Sequence, residues 1–170
     1  VVDVTIEDEF NILLRESLEE NNRTFNLTVE TIKLESCENT LIDVVPSIVG
    51  SNISFTIHDI PESNCSEPIF TATAIVDVGS LDSPSYEMII SLKNVIQNQG
   101  TLMVENDYYE LEMRDFNGIV IPEKRLYKVP QNTIWGYIAS DYSSADSVSD
   151  GFINELAEVS DDQDYIDGYY

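Results

Sequence analysis

Catalysis by a Ser-His-Asp or Cys-His arrangement needs a base that titrates near neutral pH, and His58 is the only histidine in the chain. It stands on the polar side of the alternation Ser54, Thr56, His58, beside Asp59, with no nucleophile elbow elsewhere. An exposed strand-end histidine is therefore the reading. Phosphate-loop, dinucleotide and zinc-protease signatures do not occur, and acidic pairs are too abundant for a glycosidase couple to be singled out. No catalytic residue is assigned, and the chain is expected not to be an enzyme.

Three other sets of residues carry chemistry. Cys37 and Cys65 lie 28 positions apart, too far for a C-x-x-C pair, and one histidine leaves them short of four zinc ligands. A single disulfide is the economical reading, with loop closure worth about 3 kcal/mol, and two reduced buried thiols are the alternative. Asp161, Asp162, Asp164 and Asp167 crowd hard oxygen ligands into seven positions, a calcium candidate. The spacing departs from a D-x-D-x-D-G loop, since Asp167 follows Asp164 by three residues. A solvated acidic tail is the competing reading, and no other cofactor is expected. Trp135, Tyr137 and the pair Tyr108-Tyr109 invite carbohydrate stacking. Trp135 and Tyr137, however, share one face of a strand whose other face carries Ile134 and Ile138, which favours core packing.

These residues sit on a chain of 170 residues with 32 acidic and 8 basic side chains, net charge -24. Nucleic acid and anionic lipid surfaces both recruit clustered cations, so neither is expected as a direct partner. The cations are Arg15, Arg23, Lys33, Lys93, Arg114, Lys124, Arg125 and Lys128, leaving a cation-free segment after Lys128. With 42% hydrophobic residues the chain has enough apolar surface for a core. A partner with a basic surface meeting residues 141–170 is the expected contact.

The elements that must position these groups are mainly strands. Phe25, Leu27 and Val29 alternate with polar residues, as do Ile53, Phe55 and Ile57. Phe70, Ala72, Ala74, Val76 and Val78 share a face, followed by Tyr86, Met88, Ile90 and Leu92. Thr101 to Val104 and Tyr108 to Met113 flank Glu105-Asn106-Asp107, a connection suited to a hairpin. Gly118 to Ile121 and Thr133 to Ala139 complete seven or more strands without an intervening long helix. The pattern predicts an all-β antiparallel sandwich over 1–139. Residues 1–23 read as helical or irregular: over Asp8 to Glu19, Phe10, Leu13, Leu14 and Leu18 have the spacing of an amphipathic helix, with an irregular first strand as the alternative. Residues 140–170 read as an acidic linker, a short helix capped by Ser149 or Asp150 and bearing Phe152, Ile153, Leu156 and Val159, then a tail.

The run Leu81-Asp82-Ser83-Pro84-Ser85-Tyr86-Glu87-Met88 resembles the corner of immunoglobulin-like and fibronectin type III sandwiches. There a Leu and a Tyr lock a turn, the Tyr hydroxyl bonding back to the chain upstream. The resemblance makes Leu81 and Tyr86 structural residues, as core packing does Trp135. The single Trp follows both cysteines, which departs from antibody domains. Taken together, Ser63-Asn64-Cys65, Tyr86-Glu87-Met88-Ile89-Ile90, Asn98-Gln99-Gly100-Thr101-Leu102 and Ile134-Trp135-Gly136-Tyr137-Ile138 resemble small exported lipoproteins of Bacteroidetes bacteria. That resemblance implies an immunoglobulin-like sandwich at the outer membrane or cell surface, anchored through an acylated Cys upstream of Val1.

Neither a signal peptide nor an apolar run of about 18 residues occurs, and a start at Val1 reads as a processed product. Four sequons, at Asn22, Asn26, Asn52 and Asn64, do not decide a secretory origin. The expectation is a non-catalytic exported protein acting through protein contact, such as an accessory lipoprotein of an envelope assembly. The alternative is a glycan- or calcium-binding module of a larger adhesin or enzyme.

Overall fold

Period-two alternation dominates the computed structural model, which describes residues 6–19, 22–34, 40–58, 60, 67, 69–130, 132–133, 145–161 and 168–170. Among these the strands are β1 (Phe10–Glu19), β2 (Asn22–Thr31), β3 (Val44–Val49), β4 (Asn52–Ile57) and β5 (Thr73–Gly79). They continue as β6 (Ser85–Leu92), β7 (Ile96–Val104), β8 (Tyr108–Met113), β9 (Ile119–Val120) and β10 (Arg125–Tyr127), before the helix α1 (Ala145–Ala157). The chain divides into two compact units, Val1–Lys128 with Tyr169–Tyr170, and Val129–Gly168.

In the first unit one sheet has the order β5-β2-β1-β9 and the other β10-β8-β7-β6-β4-β3. Inward residues of both sheets fill one core: Phe10, Ile12 and Leu14 with Phe25, Leu27 and Val29 from the smaller sheet, and Ile53, Phe55, Met88, Ile90 and Leu111 from the larger. Each large apolar side chain buried this way contributes about 1.5–3 kcal/mol. The result is an all-β, mostly antiparallel arrangement with a short helix after it.

Pairing is not wholly antiparallel. β1 runs parallel to β9, and β4 runs parallel to β6 over six residue pairs from Asn52↔Glu87 to Ile57↔Leu92. Parallel neighbours need a crossover, usually a helix. Here β5, a strand of the opposite sheet, supplies the link between β4 and β6. Asn98 places the short β9: its buried amide donates to the Asn117 carbonyl (3.0 Å) and accepts the Asn117 amide (2.7 Å).

The helical reading of residues 8–19 is overturned. Ten residues of β1 pair with β2 from Phe10↔Thr31 to Glu19↔Asn22, and Phe10, Ile12 and Leu14 are all buried. Leu13, whose neighbour Leu14 gave the helical spacing, lies on the other face opposite Thr28. Phe70, which precedes the start of β5 at Thr73, is 42% exposed and does not share the buried face of Ala72, Ala74, Val76 and Val78. The helix begins at Ala145, so Ser149 and Asp150 lie inside it and cap nothing. The run Ser143 to Asp150 offers Ser and Asp at several alternative caps, so the apolar spacing locates the helix without fixing its start. Phe152 and Ile153 are exposed on it, and Leu156 is half-buried. Apart from Thr133, the strand candidate Thr133 to Ala139 lies outside the described residues, as do Trp135, Tyr137, Cys37 and Cys65.

The two edges of the larger sheet differ. At β3, the His58 amide donates to the Asp43 carbonyl (2.9 Å), one position beyond the Val44↔Ile57 pair. Bonded positions alternate along an antiparallel pair, so Val45, Ser47 and Val49 face β4 with their backbone while Val44, Pro46 and Ile48 face outward. Pro46 thus puts a residue without an N–H in the middle of the outer edge. Val45, Ile48 and Val49 are exposed beside it. At the other edge, the Lys128 amide donates to Asp107 and Lys124 accepts from Leu111, so the intervening Tyr127 directs its amide away from β8.

Candidate functional site at the Tyr109 end

The alternation that buries Phe10, Ile12 and Leu14 puts Glu16 on the same inward face of β1. Likewise Arg23 precedes Phe25 and Leu27 on the inward face of β2. Tyr109 enters from the larger sheet, 3% exposed, its ring tilted on Phe25 at 4.8 Å between centroids. These side chains converge. The Tyr109 hydroxyl donates to Glu16 Oε1 at 3.1 Å, and Arg23 Nη1 lies 3.1 Å from the same oxygen. Lys128 Nζ sits 4.5 Å from the Tyr109 ring centroid and donates to the Glu105 carbonyl.

Burial, then the Glu16 charge and the hydrogen bond to it, push the Tyr109 phenol well above its ordinary range. An activated tyrosine would need the opposite shift. Burial, and then the facing Arg23, lower the Lys128 ammonium below the ordinary lysine value. The Glu16 side chain is only 5% exposed, and the groups around it supply charge compensation and hydrogen bonds. The set can seal the space between the sheets; it holds no poised nucleophile.

An aromatic and cationic cluster continues from it. Arg125 Nη2 donates to both oxygens of Glu110 at 2.9 Å, and the guanidinium lies 4.3 Å over the Tyr108 ring. Tyr108 meets Tyr127 edge-on at 6.1 Å. The pair Tyr108-Tyr109 is therefore split, one ring covered by Arg125 and the other inside, which removes it as a sugar-stacking platform. Tyr169 and Tyr170 belong to this cluster although 40 residues of the second unit precede them. The Tyr127 amide donates to the Tyr169 carbonyl (2.7 Å), Arg15 lies 5.3 Å over the Tyr169 ring, and Tyr170 is 5.7 Å from Tyr127. Among the described residues the buried Tyr169 hydroxyl has no hydrogen-bond partner.

Tyr86 is 7% exposed and its hydroxyl accepts the amide hydrogens of Asp82 and Ser83, each at 2.9 Å, with Leu81 half-buried against the core. His58 is half-buried at the end of β4. Asp161 is exposed, whereas Asp162, Asp164 and Asp167 lie outside the described residues. Among the described residues no group of three His, Cys, Asp or Glu is placed to hold a metal. A cavity of about 240 Å³ is lined by Glu7, Asp8, Glu9, Thr31, Lys33 and Ile60, with the Thr31 hydroxyl already bonded to Lys33 and Ala72. Asn22 and Asn52 of the sequons are exposed, while Asn26 faces outward in mid-strand and is held by Ser17.

Sequence reasoning missed Glu16, Arg23, Tyr127 and Tyr169. The signal for Glu16 was present, since the spacing of Phe10, Ile12 and Leu14 extends to it once β1 is taken as a strand. No family model matches this chain, and neither a curated protein nor a solved structure is significantly similar to it. The fold and site define an all-β domain of two mixed sheets. Among the described residues no helix is long and apolar enough to cross a membrane.

Proposed function

We propose that this chain is a non-catalytic β-sandwich that acts by protein contact, exported to the outer membrane or cell surface as an accessory subunit, of lipoprotein type, in an envelope assembly. One observation carries the reading. The edge amide of Tyr127 holds a peptide carbonyl from 42 residues further along the chain, so the sheet edge already engages a distant stretch of backbone. Glu16, Arg23 and Tyr109 meanwhile bond to one another, and none is an activated nucleophile. Support for the immunoglobulin-like corner comes from the two amide bonds to Tyr86. The acidic surface suits a partner that is basic where it meets residues 141–170.

The test is cross-linking of the tagged full chain in its native cells, followed by fractionation and mass analysis. A defined covalent partner in the envelope fraction is the expected result. Recovery of the chain solely as an uncross-linked soluble monomer would overturn the reading.

A further inference from the structure

Tyr169–Tyr170 is held at the β10 edge by interactions that do not depend on which molecule supplies it. One is a backbone hydrogen bond from the outward amide of Tyr127, indifferent to sequence. The others are ring interactions with Arg15 and Tyr127. The chain reaches this groove only after the second unit, Val129–Gly168, has intervened. A segment so far removed in sequence from its groove has the connectivity that segment exchange requires.

We propose that the groove formed by the β10 edge, Arg15 and Tyr127 also accepts Tyr169–Tyr170 from a second copy of this chain, giving a reciprocally exchanged dimer. The inference rests on the protein-contact reading and names a partner for it. Each copy gives up its own Tyr169 and Tyr170 and receives the same two from its neighbour, so exchange leaves the interaction energy of the groove unchanged. Charge selects this end for the encounter. Beyond the paired Arg23–Glu16 and Arg125–Glu110, the cluster presents Arg15 and Lys128, and the arriving segment carries Asp161, Asp162, Asp164 and Asp167. Elsewhere two copies at -24 repel, which disfavours other modes of self-association. The unpartnered Tyr169 hydroxyl weakens the docked state and makes release accessible.

The experiment mixes isotopically light and heavy full chains carrying photoreactive benzoylphenylalanine in place of Tyr169. The mixture is irradiated across a concentration series, and the cross-linked peptides are mapped. Light–heavy pairs joining position 169 to β1 or β10, increasing with concentration, are expected. Light–light and heavy–heavy pairs alone, at every concentration, would show docking within one chain only and overturn the proposal. Absence of any cross-link to β1 or β10 would overturn the groove itself. An independent readout uses natural side chains: native mass spectrometry of mixed light and heavy wild-type chains detects mixed dimers. Their formation is slowed at least about fivefold by Tyr169→Phe, because exchange passes through the undocked segment and the variant lacks the unsatisfied hydroxyl. An unchanged rate, or no mixed dimer, counts against the proposal. Failure here with persistent envelope cross-links to another protein leaves the protein-contact reading standing.

Discussion

A carboxylate only 5% exposed must be compensated, and Glu16 is compensated twice at one oxygen. Removing it takes away the anion facing Arg23 and the acceptor of the Tyr109 hydroxyl together. Glu16→Ala is therefore expected to cost about 2–3 kcal/mol, read from urea unfolding, with Arg23 partly solvated and so short of the full buried-pair penalty. Tyr109 adds a pH signature. Its raised phenol binds the proton more tightly folded than unfolded, so its stabilisation is complete below the ordinary phenol value of 10.0 and is lost as pH rises above it. Urea midpoints measured from about pH 9 to about pH 11 should fall for the wild type and fall less for Tyr109→Phe. Equal slopes in the two proteins would show that the Tyr109 proton is not held this way.

Among the elements, Gly100 and Pro46 each fix what a strand can do. Gly100 lies between Met88 and Met113 in the register, where an added Cβ would collide with the Met113 sulfur and the Glu112 carbonyl. Gly100→Ala should destabilise by about 1–3 kcal/mol, seen as a lower thermal midpoint. Pro46→Val should instead leave folding stability nearly unchanged. By restoring an outward N–H to an exposed apolar edge, it should produce concentration-dependent association in light scattering. At this scale much was legible in the sequence. Phe25, Leu27 and Val29, or Ile53, Phe55 and Ile57, declare their strands because one face is buried and the other polar. The first strand was obscured because Leu13 and Leu14 are both apolar, and Glu16 was obscured with it. The parallel β4–β6 pair left no local trace, because sheet membership of β5 is decided by packing and not by its own residues.

Over the whole molecule, the charge of -24 opposes compaction wherever acidic surfaces face one another. Screening should therefore stabilise this protein. Raising sodium chloride from about 10 mM to about 150 mM shortens the Debye length from about 30 Å to about 8 Å. An increase in the thermal midpoint of about 2–4 °C is the expected response, equivalent to about 1 kcal/mol for a domain of this size. A decrease would mean that the Glu16–Arg23 and Glu110–Arg125 pairs outweigh the general repulsion.

The two parallel pairings also set a timetable. β4 cannot acquire its inner neighbour until residues 85–92 exist, and the second edge of β1 waits for Ile119–Val120, over 100 residues later. Non-local pairing of this kind delays the rewarding contacts until the loop-closure entropy has been met, so folding is slow. A chain emerging from the ribosome can thus form the local β1–β2 hairpin early, but it completes neither sheet until most of its first unit has been made.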